Sequence, residues 1–241
     1  WRTGESVQKG ELTLDPQQAR KKLRDYRLTD PHRWILEIVA AANLGGASEV
    51  SVALDSDEVI IVLHGVSLSE QDIETLWQAP FQKLGNPVAR HIALGLISAE
   101  ALEPTRILLR SGHVEANLGP QANRSIVEAI TTQLYPETSA ANAIQIYVRI
   151  PLKFSRLITV NHALPEFIYL NRLAKYSKVP VKLLGADVTD PNLEELGSQR
   201  SFFDSNGLEG ALNLTFDVLE ITFVRDGVVT ETIKNDALIP A

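Results

Sequence analysis

The chain has 241 residues, 44% of them hydrophobic and 22% charged, a composition suited to one large globular domain or two modest ones. A net charge of -7, with the 23 basic residues scattered along the chain, argues against a surface that wraps nucleic acid, so none is expected as a partner. Cysteine and methionine are both absent, which excludes disulfides, thiolate nucleophiles and cysteine-based zinc sites and suits a reducing compartment. No apolar run approaches about 18 residues, and the opening WRTGESVQKG lacks the regions of a signal peptide, so no membrane partner and a cytoplasmic location are expected.

Residues 15–29, DPQQARKKLRDYRLT, read as a polar, helix-friendly lead-in with one weak apolar face of Leu23, Tyr26 and Leu28. Asp30-Pro31 then supplies an N-cap and a first-turn proline, and Trp34, Ile35, Ile38, Val39 and Ala42 recur at helical spacing up to a stop at Gly45-Gly46. EVSVALDSDEVIIVLHG alternates on either side of the turn residues DSDE, which predicts an antiparallel hairpin with one buried face. Ser69 and Asp72 have the spacing of a capping box for a helix through Ile73, Leu76 and Trp77, closed by Pro80. Asn86-Pro87 caps a third helix, PVARHIALGLISAEALE, with Ile92, Leu96, Ile97 and Leu102 facing inward, and the strand TRILLRSG follows Pro104.

From His113 to Ala141 the text is polar and irregular, and a segment of that length inside a compact domain points to a functional lid or binding loop. Alternation returns in NAIQIYVRI. Beyond Pro151 the pattern predicts one helix over LPEFIYLNRLAKYS, a strand VPVKLLG, a polar helix near Pro191, and a final strand pair LEITFVRDGVVTETI turned at Asp226-Gly227. The expected division is an α+β domain over residues 1–150 and a smaller α+β segment over 151–241.

A helix carrying a glutamate, a hairpin ending near a glycine, a short helix, and a GLISAEA helix leading to a strand that ends in Ser-Gly resemble, in that order, the GHKL superfamily of nucleotide-binding domains. The branch in view is the ninety-kilodalton heat-shock chaperones, and YLNRLAKYSKVPVKLLG is similar to the segment that follows the ATPase domain in their bacterial relatives. The resemblance implies a GHKL-type two-layer α/β sandwich with a mixed sheet, then the start of the chaperone middle domain.

The resemblance also implies roles, position by position. In the family's E-x-x-x-N helix motif the glutamate orients the attacking water and the asparagine binds magnesium. Glu37 holds the first position as the retained general base, and Ala41 occupies the second. Asn43 lies two residues further on, about 200° around the helix, and cannot simply replace it. The D-x-G-x-G motif matches at LHGVS, where Gly65 is kept while Leu63 and Ser67 stand at the aspartate and second glycine; a register slip of one would offer His64 instead. The phosphate loop matches at RHIALGLISA, keeping Gly95 and Ser98, with Arg90 and Ala93 at the earlier glycines. The later Gly-Thr has no match before Ile144.

Each of these residues also has a plainer reading. Glu37 is either a border carboxylate paired with Arg33 four residues back or the retained catalytic position. Arg90 and Arg110 are either phosphate ligands or solvated surface. The five histidines show no zinc-binding spacing, no G-x-S-x-G occurs, and no metal site is expected. The expectation is therefore a degenerate chaperone-like GHKL protein, a pseudo-ATPase acting as a protein-interaction or regulatory module on an unidentified partner or client, with no cofactor. The alternative is a working ATP-binding chaperone ATPase that uses ATP and Mg2+, with His64 and Asn43 recruited after rearrangement.

Overall fold

The computed structural model describes residues 18–22, 30–82, 84–119, 142–151, 161–189, 200–205, 208–214 and 219–235. Asp30 accepts a hydrogen bond from the His32 backbone N–H and caps a 3-10 turn, Pro31–Arg33, that runs into helix α1, Trp34–Gly45. Gly46 ends α1 in the left-handed conformation, φ 65°, where a residue lacking Cβ meets no steric penalty. Helix α2, Glu70–Glu74, opens with the expected Ser69/Asp72 capping box, and α3, Pro87–Ala99, is capped by Asn86. Helix α4 spans Pro165–Leu173.

The described strands make two sheets. The first contains β1 (Glu49–Leu54), β2 (Glu58–His64), β3 (Arg106–Ser111), β4 (Val114–Asn117), β5 (Ala143–Arg149), β6 (Val181–Leu183) and β7 (Ala186–Asp187), ordered β4-β3-β5-β2-β1-β6-β7. Its neighbours are antiparallel except β1 and β6, which run parallel with Val50 opposite Val181, so the sheet is mixed. One face is aliphatic by strict alternation: Val50, Val52 and Leu54 on β1, Val59, Ile61 and Leu63 on β2, and Ile144, Ile146 and Val148 on β5. These side chains share one core with Trp34, Ile38, Ile92 and Leu96 of α1 and α3, an α+β arrangement with helices against one face of the sheet. Leu164, Leu170, Val179, Val181 and Leu183 join the same core, so both core and sheet continue across Pro151.

The second sheet is an antiparallel meander, β11-β10-β9-β8, of β8 (Arg200–Ser205), β9 (Leu208–Leu214), β10 (Leu219–Arg225) and β11 (Val228–Asn235). The last pair turns at Asp226 and Gly227, with φ 51° and 76°, the two positive angles that match a two-residue turn to strand twist. Strands β8 and β9 are not among the expected elements: RSFFDS has no sustained alternation, whereas LEGALNL alternates Leu208, Leu212 and Leu214 with Glu209, Ala211 and Asn213, a strand pattern the sequence does carry; β9 pairs with both β8 and β10.

Several boundaries differ from expectation. Pro80 lies inside a 3-10 turn, Leu76–Phe81, instead of closing α2, which stops at Glu74. Helix α3 ends at Ala99 and a 3-10 turn, Glu100–Leu102, follows, closed by Glu103 in the left-handed conformation, φ 55°, just before Pro104. Helix α4 stops at Leu173, short of Ser177, whose hydroxyl is tied to Asn43 and the Val179 carbonyl. The stretch expected to be irregular from His113 begins with β4, paired to β3 across a turn at Gly112; the rest of that expected lid, 120–141, lies outside the described residues. The helix near Pro191 and the lead-in apart from residues 18–22 also lie outside them. Among the described residues no helix is long and apolar enough to cross a membrane.

Candidate functional site

Helices α1 and α3 lie close because Gly95 has no side chain. A Cβ built there would stand 2.9 Å from both Ile38 Cδ1 and the Trp34 carbonyl oxygen, and 3.2 Å from Glu37 Cβ. That approach brings the Glu37 carboxylate to His91 one turn earlier on α3, with Nδ1 and Oε2 2.8 Å apart. The other imidazole nitrogen, Nε2, lies 3.9 Å from Asp226 Oδ2 in the β10–β11 turn. His91 therefore stands between two carboxylates from different elements, and its side chain is 16% exposed.

The turn is located by a second contact. A Cβ on Gly227 would stand 2.7 to 2.9 Å from the Asn43 side-chain atoms, so only glycine lets the turn rest against the end of α1. Asn43 is itself pinned: Nδ2 donates to the Val39 carbonyl, while Oδ1 accepts from the backbone N–H groups of Lys178 and Val179 and from Ser177 Oγ. One side chain thus joins α1 to the loop that enters β6.

Between α1, α3 and the β10–β11 turn lies a depression of about 300 Å3. Its apolar lining is Leu36, Ala40, Leu94, Val228 and Val229, and its charged and titratable groups are Arg33, Glu37, Arg90, His91, Arg225 and Asp226. Arg90 donates to the Gln82 carbonyl at 2.7 Å, while its Nε is enclosed without an acceptor. Chemically, the arrangement offers an imidazole oriented by a carboxylate, as in proton-transfer pairs, and guanidiniums able to face an anion.

The remaining sequence candidates sit elsewhere. Ala41 and Leu63 are 0% exposed and belong to the core. Ser98 is buried and donates to the Leu94 carbonyl one turn back, and Gly95 is taken up by the helix contact. Gly65 has φ 79°, donates its N–H to the Asn142 carbonyl and packs on Ser48, which makes it a strand-end turn residue. His64 Nε2 lies 3.2 Å from Ser51 Oγ, in a polar row across β2, β1 and β6 that continues through Glu49 to Lys182. The hydrogen bonds from Lys182 and Ser51 hold the Glu49 carboxyl below its usual range. Structure thus brings Glu37 and Gly95 together, and groups His64 with the sheet row and Asn43 with the loop before β6.

His91, Asp226 and Arg225 escaped sequence reasoning as site residues. His91 is 54 positions from Glu37, and Asp226 was read only as a turn residue; no spacing rule links three such distant positions.

A second polar cluster holds α4 in place. Glu166, 0% exposed, meets His32 Nδ1 at 2.7 Å, and Tyr169 donates to Asp30 Oδ2 at 2.6 Å. Burial acts to raise the Asp30 pKa, but the Tyr169 hydroxyl, the His32 backbone N–H and nearby positive charge outweigh it and leave it below the ordinary value. The Tyr169 phenol is pushed up by the same bond to Asp30. Among the described residues no group of three or more His, Cys, Asp or Glu side chains could hold a metal ion.

No protein-family model matches the chain, and no curated protein resembles it significantly, so a functional reading rests on these residues and their packing.

Proposed function

We propose that this chain is a degenerate chaperone-like GHKL domain protein that serves as a protein-interaction or regulatory module, with weak or no ATP hydrolysis. The observation that carries the reading is the packing at Ala41 and Leu63, the positions where the resemblance would put the magnesium and adenine ligands. Both are hydrocarbon, 0% exposed and part of the continuous core. A nucleotide at those positions would have to displace core side chains and would meet no carboxylate or amide once there. Each missing polar contact lowers affinity by about 1 to 3 kcal/mol, so two of them alone weaken binding by orders of magnitude.

Glu37 supports the same reading. Its carboxylate is bonded to His91, which holds it at the helix border, and a general base acting on water needs that oxygen facing a bound phosphate. The rival, an ATP-binding chaperone ATPase with rearranged motifs, requires Asn43 to ligate Mg2+ with an oxygen that already accepts three hydrogen bonds.

Calorimetric titration of the purified chain with magnesium-ATP separates the two. The module reading expects no saturable heat at sub-millimolar nucleotide. Saturable binding in that range, accompanied by turnover, overturns it in favour of the ATPase.

A further inference from the structure

We propose that Trp77 and Glu100 form a receptor for an arginine side chain on a segment of a partner protein, a place that the chain's own Arg20 fills until the partner displaces it. The geometry of the present occupant is the first argument. The Arg20 guanidinium carbon lies over the Trp77 ring, 3.6 Å from its centre. Its Nε donates to Glu100 Oε2 at 3.2 Å, and Nη2 pairs with Oε1 of the same carboxylate. An aromatic face beside a two-oxygen fork selects guanidinium over ammonium, because only the planar group can stack and donate two parallel bonds at once.

The walls of this box come from elements far from Arg20 in the chain. Trp77 lies in the 3-10 turn Leu76–Phe81, whose Leu76 and Ala79 belong to the core, and Glu100 follows the core residue Ala99 at the end of α3. Their backbones are anchored whether or not Arg20 is present. The lead-in is turned outward: among residues 18–22, Gln18, Lys21 and Lys22 are exposed and only Ala19 is buried. So short a helical piece has little stability of its own, which makes its arginine the exchangeable part.

Space and charge point to a basic segment as the incoming partner. A depression of about 470 Å3 opens beside the pair, walled by Arg20 and Glu100 together with Glu103, Pro104, Ile107 and Leu118, and its volume is ordinary for a binding pocket. Glu103 is exposed, and its carboxylate has no hydrogen bond or ion pair among the described residues. With Arg20 displaced, these walls carry two negative charges and no positive one, while Ile107 and Leu118 offer hydrocarbon to an apolar residue next to the arginine. Glu37, Ala41 and Leu63 are not among them. ATP binding would therefore leave the receptor intact, and its failure would leave the nucleotide reading standing.

Calorimetry on the full chain with acetyl-Leu-Arg-amide and its lysine and citrulline counterparts tests the proposal. Arg20 competes from within the same chain at an effective concentration on the order of millimolar, so Arg20→Ala should bind the arginine peptide at least about fivefold more tightly than the wild type. On that variant the lysine and citrulline peptides should be at least about tenfold weaker, since one lacks the planar fork and the other the charge. Added to Arg20→Ala, Glu100→Gln and Trp77→Leu should each weaken the arginine peptide several-fold, while Glu231→Gln on β11 leaves it unchanged. Glu100→Gln keeps the size of the side chain, so the test stands even where Trp77→Leu disturbs its turn. No binding of the arginine peptide to Arg20→Ala, no gain over the wild type, equal binding of the lysine or citrulline peptide, or affinity untouched by Glu100→Gln overturns the assignment.

Discussion

Glu37 and Ala41 are one helical turn apart on α1, yet their surroundings have opposite characters. Ala41 is 0% exposed and lies in the hydrophobic core that α1 shares with α3 and the sheet. Around Glu37 the same helix borders a depression in which three arginines, two carboxylates and a histidine are arranged beneath a turn from the second sheet. Hydrocarbon closes the interior by itself, whereas a carboxylate needs a polar partner: His91 beside Glu37 at the border, and His32 beside the fully buried Glu166.

The largest test of that contrast puts polar groups into the closed region. Leu63→Asp combined with Ala41→Asn buries a charge and an amide without partners, and should lower stability by roughly 3 to 5 kcal/mol with no gain in magnesium-ATP affinity. Urea denaturation and calorimetry read both quantities. A double mutant that folds normally and binds ATP would show the interior to be an open cleft and erase the distinction between the two regions.

Gly95→Ala sharpens it at the helix contact. Alanine is the better helix former, yet its Cβ would stand 2.9 Å from the Trp34 carbonyl oxygen, a backbone atom that cannot swing aside. Overpacking should win, with a net loss of about 1 to 3 kcal/mol in denaturant unfolding. A stabilised Gly95→Ala protein would mean that the helices are free to separate.

At the polar region the expected effects are smaller. Glu37→Ala removes the partner of a mostly buried imidazole and should cost about 1 to 2 kcal/mol in thermal or chemical unfolding. Any ATP turnover of the wild-type chain should be unaltered by it, and a robust turnover abolished by this substitution would return Glu37 to catalysis.

The smallest effect carries a pH signature. Because the Asp30 pKa is lower in the folded state than in the unfolded chain, its ionised form favours folding at any pH above the ordinary carboxylate value, about 4, and that contribution fades as pH falls through the depressed native value. Asp30→Asn should therefore cost up to about 1 kcal/mol at neutral pH and nothing in strong acid, measured as the difference in unfolding midpoint between the two proteins. A cost that grew on acidification would reverse the sign of this linkage.

Much of the first sheet and its helices was legible because the signals are local. The caps at Asp30, Ser69 and Asn86 and the left-handed stop at Gly46 depend on residues within three or four positions of each other. The β1–β2 hairpin and the Asp226-Gly227 turn likewise need only alternation and turn chemistry. Helix ends were less legible: α3 and α4 both stop early, the first giving way to a 3-10 turn before Pro104 and the second short of Ser177, which is held by a residue 134 positions away. Of the site, Glu37 could be singled out as a carboxylate in an apolar run, but its partner could not.

Local chemistry along the chain dictates caps, turns and strand faces, because each depends on the residue itself and its nearest neighbours. Three-dimensional packing alone sets the rest. The parallel pairing of β6 with β1 carries the core across Pro151, Gly95 and Gly227 permit the backbone approaches at α3 and at Asn43, and His91 comes to lie between Glu37 and Asp226. Contacts across 54 and 135 positions arise from which surfaces bury one another, and hydrophobic burial is non-directional, so no short pattern in the chain encodes the charged groups it carries along.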